Sequence, residues 1–172
     1  MLVILSGLPG TGKTTIARAL AREIGAMHIR IDTIEQALRD KGIDVVEEGY
    51  RVAYALAEDN LRLGQTVIAD SVNPIKITRD AWHAVAARAG APHADIEIIC
   101  ADSAEHRQRV ETRTADIAGH KLPAWADVTA RRYEPWITAR LTIDSAKESP
   151  ETAAQAIAAL IGQLLSRGGK QR

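Results

Sequence analysis

The sequence predicts a three-layer α/β fold, in which helices cover both faces of a parallel sheet. Short apolar segments alternate with amphipathic segments along most of the 172 residues. Such an alternation requires parallel strands joined by helical crossovers. Apolar side chains make up 46% of the chain, which is enough for a hydrophobic core although phenylalanine is absent. Because domains average roughly 150 residues, we expect one domain over residues 1–172.

The boundaries follow from apolar periodicity and from glycines placed where helices should end. The predicted strands are residues 2–6, 28–31, 66–69, 95–100 and 140–143. The predicted helices are residues 13–24, 33–41, 46–63, 77–89, 102–113, 126–138 and 150–166. Residues 114–125 lack periodicity and contain Gly119 and Pro123, so we expect a mobile lid over about 109–125. Residues 167–172 are polar and predict a loose tail.

Charge and cysteine content exclude several classes of protein. Lysine plus arginine and aspartate plus glutamate number 22 each, so the formal net charge is zero. A neutral chain without basic tracts argues against a nucleic-acid or anionic-membrane binder. The single cysteine, Cys100, excludes an internal disulfide and a cysteine zinc cluster. The amino terminus lacks a signal peptide's cationic flank and no apolar run approaches the roughly 18 residues of a membrane span, so we expect a cytoplasmic protein.

A phosphate-binding motif follows the first predicted strand. Gly7-Leu8-Pro9-Gly10-Thr11-Gly12-Lys13-Thr14 matches G-x-x-x-x-G-K-[ST], with a strand before it and a helix after it. The glycines let backbone N–H groups point inward, the helix start adds positive potential, and the lysine reaches the outer phosphates. The dinucleotide pattern G-x-G-x-x-G fails at Thr15. Residues 7–15 therefore predict a nucleoside triphosphate site.

Two residues are candidate ligands of Mg²⁺. The Thr14 hydroxyl is the magnesium ligand that the motif supplies. Asp70 ends the apolar run Thr66-Val67-Ile68-Ala69, the Walker-B arrangement that holds the metal from a neighbouring strand. The alternative is that Asp70 only caps the turn Ser71-Val72-Asn73-Pro74.

Asp32 is the candidate catalytic base. It ends the second strand, and ligands in α/β sheets lie beyond the carboxyl ends of strands. A carboxylate there can accept the proton of a hydroxyl that attacks the γ-phosphate. The alternative is a capping box of Asp32 and Glu35 for the next helix. Around this acid we expect an acceptor pocket that also involves Arg30, Glu35, Tyr50 and Asn73.

Two arginines are candidates for the charge that phosphoryl transfer requires. Arg109 and Arg113 share a helix face, and arginines from a closing lid can stabilise the transferring group. The alternative is a solvated face that pairs with acidic neighbours. Arg131 and Arg132 are weaker candidates. Three aromatic residues after the lid predict either an anchor on the core or part of the acceptor pocket: Trp125, Tyr133 and Trp136. The five histidines show no metal-ligand spacing.

The order of these motifs resembles the small P-loop kinase family that includes adenylyl-sulfate kinases, gluconate kinases and the polynucleotide 5′-kinase domain, with members described as AAA-family ATPases. The matching segments are 7–15, Ile-Arg-Ile-Asp at 29–32, Asp-Ser-Val-Asn-Pro at 70–74, His-Arg-Gln-Arg-Val-Glu-Thr-Arg at 106–113 and Arg-Arg-Tyr-Glu-Pro-Trp at 131–136. The resemblance implies a nucleoside-kinase-like P-loop NTPase fold, with a five-stranded parallel sheet in the order 2-3-1-4-5 and a small lid. It also implies ATP with Mg²⁺, a base at Asp32, lid arginines at Arg109 and Arg113, and adenine beside Asp144 and Ser145.

One departure from the family bears on the acceptor. Adenylyl-sulfate and polynucleotide kinases carry an arginine three residues beyond the acid, where this chain has Glu35, and a carboxylate there would repel an anionic acceptor. We therefore expect an ATP-dependent phosphotransferase that acts on a hydroxyl of a small molecule. The alternatives are a polynucleotide or nucleotide 5′-kinase, an adenylyl-sulfate kinase, and an ATP-binding regulatory module with slow hydrolysis. The sequence makes no prediction of the oligomeric state.

Overall fold

The computed structural model describes residues 1–168 and contains a sheet of five parallel strands in the order β2-β3-β1-β4-β5. The three-layer fold and the strand order are therefore confirmed. The strands are β1 (Leu2–Ser6), β2 (Met27–Arg30), β3 (Val67–Asp70), β4 (His93–Ile99) and β5 (Leu141–Asp144).

The helices lie close to the predicted positions, with one large exception. They are α1 (Lys13–Ile24), α2 (Ile31–Arg39), α3 (Glu48–Arg62), α4 (Lys76–Arg88), α5 (Ser103–Thr112), α6 (Trp125–Ala130) and α7 (Pro150–Gly168). The predicted helix over 126–138 is wrong beyond Ala130. Pro135 disfavours helical geometry at Glu134. The backbone N–H of Glu134 instead donates to the carbonyl of Pro74 at 2.7 Å.

The hydrophobic core lies on both faces of the sheet, as in other buried parallel sheets. Alternate residues of β1 divide between the two sides: Val3 and Leu5 pack beneath α1 and α7, whereas Leu2 and Ile4 pack beneath α3 and α4. Trp82 is fully buried in the second cluster. This central position of β1 places the loop after it at the middle of the carboxyl edge of the sheet.

Within residues 1–168, no helix is long and apolar enough to cross a membrane. The predicted tail over 167–172 lies outside the described residues from 169 onward. Residues 167 and 168 continue the backbone of α7.

Candidate active site

The loop between β1 and α1 adopts a backbone conformation that requires glycine at two positions. Gly7 has a φ of +142°, and a Cβ atom there would lie 2.1 Å from the carbonyl oxygen of Ile98. Gly10 has a φ of +86°, and its Cβ would lie 2.5 Å from Val110 on α5. Side chains at these two positions would push the loop off β4 and α5. The conformation is the cradle for phosphate that the motif predicts.

Lys13 opens α1 and lies inside this loop. The residue is only 8% exposed, and its ammonium group donates to the carbonyl oxygen of Leu8 at 2.9 Å. Burial lowers its pKa to about 8, although the charges of Asp70 and Asp32 oppose that shift. A buried cation that is bonded to one neutral carbonyl is placed to bind a polyanion.

Asp70 ends β3 beside the loop and is 3% exposed. Burial raises its pKa, but the hydrogen bond with His28 and the charge of Lys13 outweigh that effect and hold the pKa below its usual value. The carboxylate lies 3.1 Å from Nε2 of His28 and also faces the Thr14 hydroxyl. A buried, ionised carboxylate next to a hydroxyl fits the oxygen-donor set that Mg²⁺ prefers.

Asp32 does not cap α2. That helix begins at Ile31, with Arg30 as its N-cap and no side-chain cap, so Asp32 lies in the first turn. The predicted capping box with Glu35 is therefore wrong. The Asp32 side chain is 47% exposed and lines the cleft, with one carboxylate oxygen 3.8 Å from Nη2 of Arg30. The carboxylate is free to contact a bound molecule.

The two predicted lid arginines differ in their contacts. Arg109 donates from Nη1 to Oγ of Ser145 and from Nη2 to the Ser145 carbonyl, both at 2.9 Å. Arg113 follows the end of α5, and its buried Nε and Nη2 atoms have no hydrogen-bond partner among residues 1–168. Both arginines line the cleft. Arg109 holds the loop after β5, whereas Arg113 has donors available for an anion.

Arg30 and Glu35 both line the cleft, and each has a partner that the sequence did not suggest. Arg30 makes two hydrogen bonds to Asp116, in the segment that follows α5. Glu35 pairs with Arg39 at 2.8 Å. From the sequence we expect the Glu35 carboxylate to repel anionic acceptors. The ion pair with Arg39 offsets the negative charge that would cause this repulsion.

Asn73 and Tyr50 do not line the cleft. Asn73 is fully buried, donates from Nδ2 to the Leu5 carbonyl and accepts from Nε1 of Trp82. Its predicted contact with the acceptor is wrong, because both ends of its amide are engaged inside the protein. Tyr50 packs against Tyr54 at a ring separation of 5.9 Å, and burial raises its pKa to about 12. Its hydroxyl lies near Ser71, which does line the cleft, so its assignment to the acceptor pocket stays a prediction.

Asp144 and Ser145, at the end of β5 and in the loop after it, are the residues beside which we expect adenine. One of the two lies in the cleft. Ser145 lines the cleft and lies beside Gly12. Asp144 instead accepts from the backbone N–H groups of Ala101 and Ala146 at 3.0 and 3.2 Å. Asp144 therefore fastens the loop, and the expectation that adenine lies beside Asp144 and Ser145 stays a prediction.

Two residues outside the predicted site support it. His106 on α5 bonds through Nε2 to the Pro9 carbonyl at 2.9 Å and packs edge-on against Trp125. Arg79 on α4 lies 4.1 Å from the Trp136 ring centroid and donates to the Glu134 carbonyl at 2.8 Å. The aromatic residues after the lid are thus anchored on α4 and α5. Spacing along the chain carries no signal for the bonds of His106 to Pro9 and of Arg79 to Glu134, since these residues lie 97 and 55 positions apart.

The cleft as a whole has a volume of about 940 Å³. One wall is formed by the loop between β1 and α1. The opposite wall comes from β2, α2 and the segment after α5. Many of the predicted site residues line the cleft. They are Pro9, Gly10, Gly12, Lys13, Thr14, Thr15, Arg30, Asp32, Glu35, Asp70, Arg109, Arg113 and Ser145.

Comparison with known proteins agrees with this architecture. Residues 2–135 match the family model described as an AAA domain, AAA_33. The chain is 30% identical over 182 aligned residues to a shikimate kinase of Frankia casuarinae, covering 98% of this chain and 76% of that protein. The chain spans about a tenth of the length of mycobacterial relatives that it matches at 44% identity over 48 residues.

Solved structures share the fold. A gluconokinase from Sinorhizobium meliloti superposes with a TM-score of 0.64 at 19% identity, covering 96% of this chain and 95% of that one. The APS kinase of Mycobacterium tuberculosis, solved with AMPPNP and APS, gives a TM-score of 0.62 at 16% identity, with coverages of 94% and 96%. The chain therefore belongs to the AAA domain family AAA_33 and has the fold of the P-loop kinases.

Proposed function

We propose that the protein transfers the γ-phosphoryl group of ATP to a hydroxyl group of a small molecule. The observation that carries this proposal is the position of Asp32. Its half-exposed carboxylate lies on the wall of the cleft opposite the phosphate-binding loop. It is near enough to Lys13 that its charge opposes part of the lowering of the Lys13 pKa by burial. A module that only bound nucleotide would not need an available carboxylate there.

The nucleotide side of the cleft is built for a triphosphate. The backbone N–H groups of residues 7–15 would bind the phosphates, and the Lys13 ammonium would exchange its bond to Leu8 for the β- and γ-phosphate oxygens. Thr14 and Asp70 would hold Mg²⁺, which when bound neutralises charge on the phosphates. Ser145 borders the site beside Gly12.

The acceptor side supplies a base and a cation. The Asp32 carboxylate orients the acceptor hydroxyl and takes its proton as the hydroxyl oxygen bonds to the γ-phosphorus. The bond between that phosphorus and the bridging oxygen breaks in the same step, and ADP leaves. Arg113 lines the same cleft, and two of its buried nitrogen atoms have no partner in the part of the chain that the structure describes. It would stabilise the negative charge on the transferring group. The segment 114–123 covers this side and would exclude water.

A second acceptor class is a hydroxyl compound that also carries a phosphate or carboxylate group. Two observations support it. Glu35 is paired with Arg39, which offsets its charge, and Arg113 leaves donors free for an anion. The family resemblance to kinases of anionic acceptors is consistent with this class.

The test is mass spectrometry of neutral and anionic metabolites incubated with the protein and Mg²⁺-ATP, with 5′-hydroxyl oligonucleotides as a separate arm. We expect a small molecule with one added phosphoryl group. Asp32→Asn should lower the transfer rate at least ~100-fold and leave ATP affinity unchanged. Asp44→Asn, an exposed carboxylate before α3, is the matched control. ATP hydrolysis without a phosphorylated product, unaffected by Asp32→Asn, would instead identify a regulatory module.

A further inference from the structure

A second cluster of polar side chains lies at the opposite end of the sheet from the phosphate-binding loop. His93 and Asp95 belong to the start of β4, where they are in register with Leu2 and Ile4 of β1. The phosphate-binding loop follows the far end of β1. His83 reaches this cluster from the middle of α4.

The three side chains converge. Nε2 of His83 lies 3.0 and 2.9 Å from the two carboxylate oxygens of Asp95. The rings of His83 and His93 are stacked with their centroids 4.4 Å apart. One potential ligand atom from each residue falls within 4.8 Å of the other two.

Burial makes the carboxylate of this cluster unusual. Asp95 lies on an inner strand, and its side chain is only 4% exposed, whereas His93 is open to solvent. A buried carboxylate is costly unless a positive charge accompanies it. Within the described residues, its side-chain hydrogen-bond partner is an imidazole, which carries a full charge only when protonated.

We propose that His83, His93 and Asp95 form a binding site for Zn²⁺, with water as the fourth ligand. Two imidazole nitrogens and one carboxylate oxygen are the donors that zinc accepts, whereas Mg²⁺ prefers oxygen ligands alone. Two tetrahedral ligands of zinc, each about 2.0–2.1 Å from the metal, lie about 3.3 Å apart. The separation between His83 and Asp95 is already close to that value. His93 is exposed and can close the remaining distance by turning about its side-chain torsions.

Bound metal would connect α4 to β4. The ion would supply the positive charge that the buried carboxylate lacks and would strengthen a link between two elements that the His83–Asp95 hydrogen bond already joins. Because the cluster and the phosphate-binding loop lie at opposite ends of the sheet, binding of zinc and binding of nucleotide should be independent.

The test uses the full chain freed of metal with a chelator and dialysed. Zn²⁺ is titrated against a chromophoric chelator in excess Mg²⁺, which occupies oxygen-donor sites, and Co²⁺ is added separately as an optical probe. We expect one equivalent of zinc and visible absorption typical of four-coordinate cobalt. We also expect a higher melting temperature with zinc, because a ligand that binds only the folded state stabilises it.

His93→Ala is the informative variant, because the residue is exposed and its loss should not impair folding. It should weaken zinc binding at least ~10-fold, because loss of even an outer-shell partner of a metal ligand typically costs that much affinity. His120→Ala, which changes a histidine far from the cluster in sequence, should bind zinc as the unaltered protein does. Lys13→Ala should also retain zinc binding, which separates this proposal from the proposed function. Absence of stoichiometric zinc binding, or equal affinity in His93→Ala, would overturn the proposal and leave a simple His83–Asp95 ion pair.

Discussion

Arg30 grips the carboxylate of Asp116 with both of its terminal nitrogens, at 2.8 and 3.0 Å. Arg18 on α1 adds a third hydrogen bond at 2.7 Å. The hydrogen bond from Arg30 is the main reason why the pKa of Asp116 lies far below its usual range, and Arg18 contributes to the shift. One acid in the predicted lid is thereby fastened to β2 and α1 beneath it.

Asp116→Asn should release this segment. The neutral amide cannot replace the charge-assisted contacts to two arginines. We expect trypsin to cleave after Lys121 several-fold faster, measured by mass spectrometry of a digestion time course. Asp59→Asn, an exposed acid on α3, is the control and should be digested like the unaltered chain. Equal rates for all three proteins would show that the hydrogen bonds to Asp116 do not restrain the segment.

Lys13→Met should separate activity from stability. We expect at least a ~100-fold loss of phosphoryl transfer, since one well-placed charge contact in a transition state is worth roughly 3 kcal/mol. The same change should stabilise the nucleotide-free protein. Burial lowers the pKa of Lys13 from 10.5 to about 8, so below pH 8 the folded state carries a charge that the unfolded state holds more favourably.

The gain in the free energy of unfolding at pH 7 should reach up to about 3 kcal/mol, as the linkage between pKa and stability requires. Thermal melts without nucleotide measure it. Lys41→Met, on the exposed end of α2, is the matched control and should leave the melting temperature nearly unchanged. A lower melting temperature for Lys13→Met would contradict the explanation by burial.

The affinity for ATP should fall as the pH rises through 8. Only the protonated ammonium attracts phosphate, and its pKa of about 8 in the free protein means that it loses its proton above that value. Bound phosphate favours the charged form, so binding above pH 8 should take up close to one proton. Calorimetric titrations at pH 7 and pH 9, in buffers of different ionisation enthalpy, measure this uptake. A constant affinity across that interval would refute it.

Asn73→Ala should destabilise the protein without touching the cleft. It removes a hydrogen bond to Leu5, leaves Nε1 of Trp82 unpaired and places alanine at a φ of +45°. Together these effects should cost about 3 kcal/mol in the free energy of unfolding, because buried unpaired groups cost ~1–3 kcal/mol each. Urea denaturation measures the loss. Asn60→Ala breaks one bond to its own helix and should cost under about 1 kcal/mol.

Much of the fold and the phosphate-binding side of the cleft were predictable, because they depend on residues that are close together in the sequence. The phosphate-binding loop is a continuous segment whose residues act through their own backbone. The Asp102 cap of α5 is likewise local, because its carboxylate accepts from the backbone N–H groups of Ala104 and Glu105 at 2.9 and 3.0 Å. Such features lie within a few residues, so the spacing of residue types is sufficient evidence.

The acceptor side was less predictable, because its residues act through partners far along the chain. Asn73 and Asp70 are three residues apart, yet one joins Leu5 to Trp82 inside the core while the other faces Lys13. Both are short polar residues at or just beyond the end of the same strand, so the sequence suggests similar roles for them. Only packing distinguishes them.

The sequence by itself determined that a parallel α/β sheet would carry a phosphate-binding loop at its carboxyl edge, because periodicity and glycine geometry are properties of short segments. The tertiary structure decided which side chains face the cleft. Contacts such as Arg30 with Asp116 and Glu35 with Arg39 assign charges to partners and leave Asp32 and Arg113 available. Which charged side chains are paired depends on distances between elements that are far apart in the sequence. The spacing of residues along the chain therefore does not reveal it.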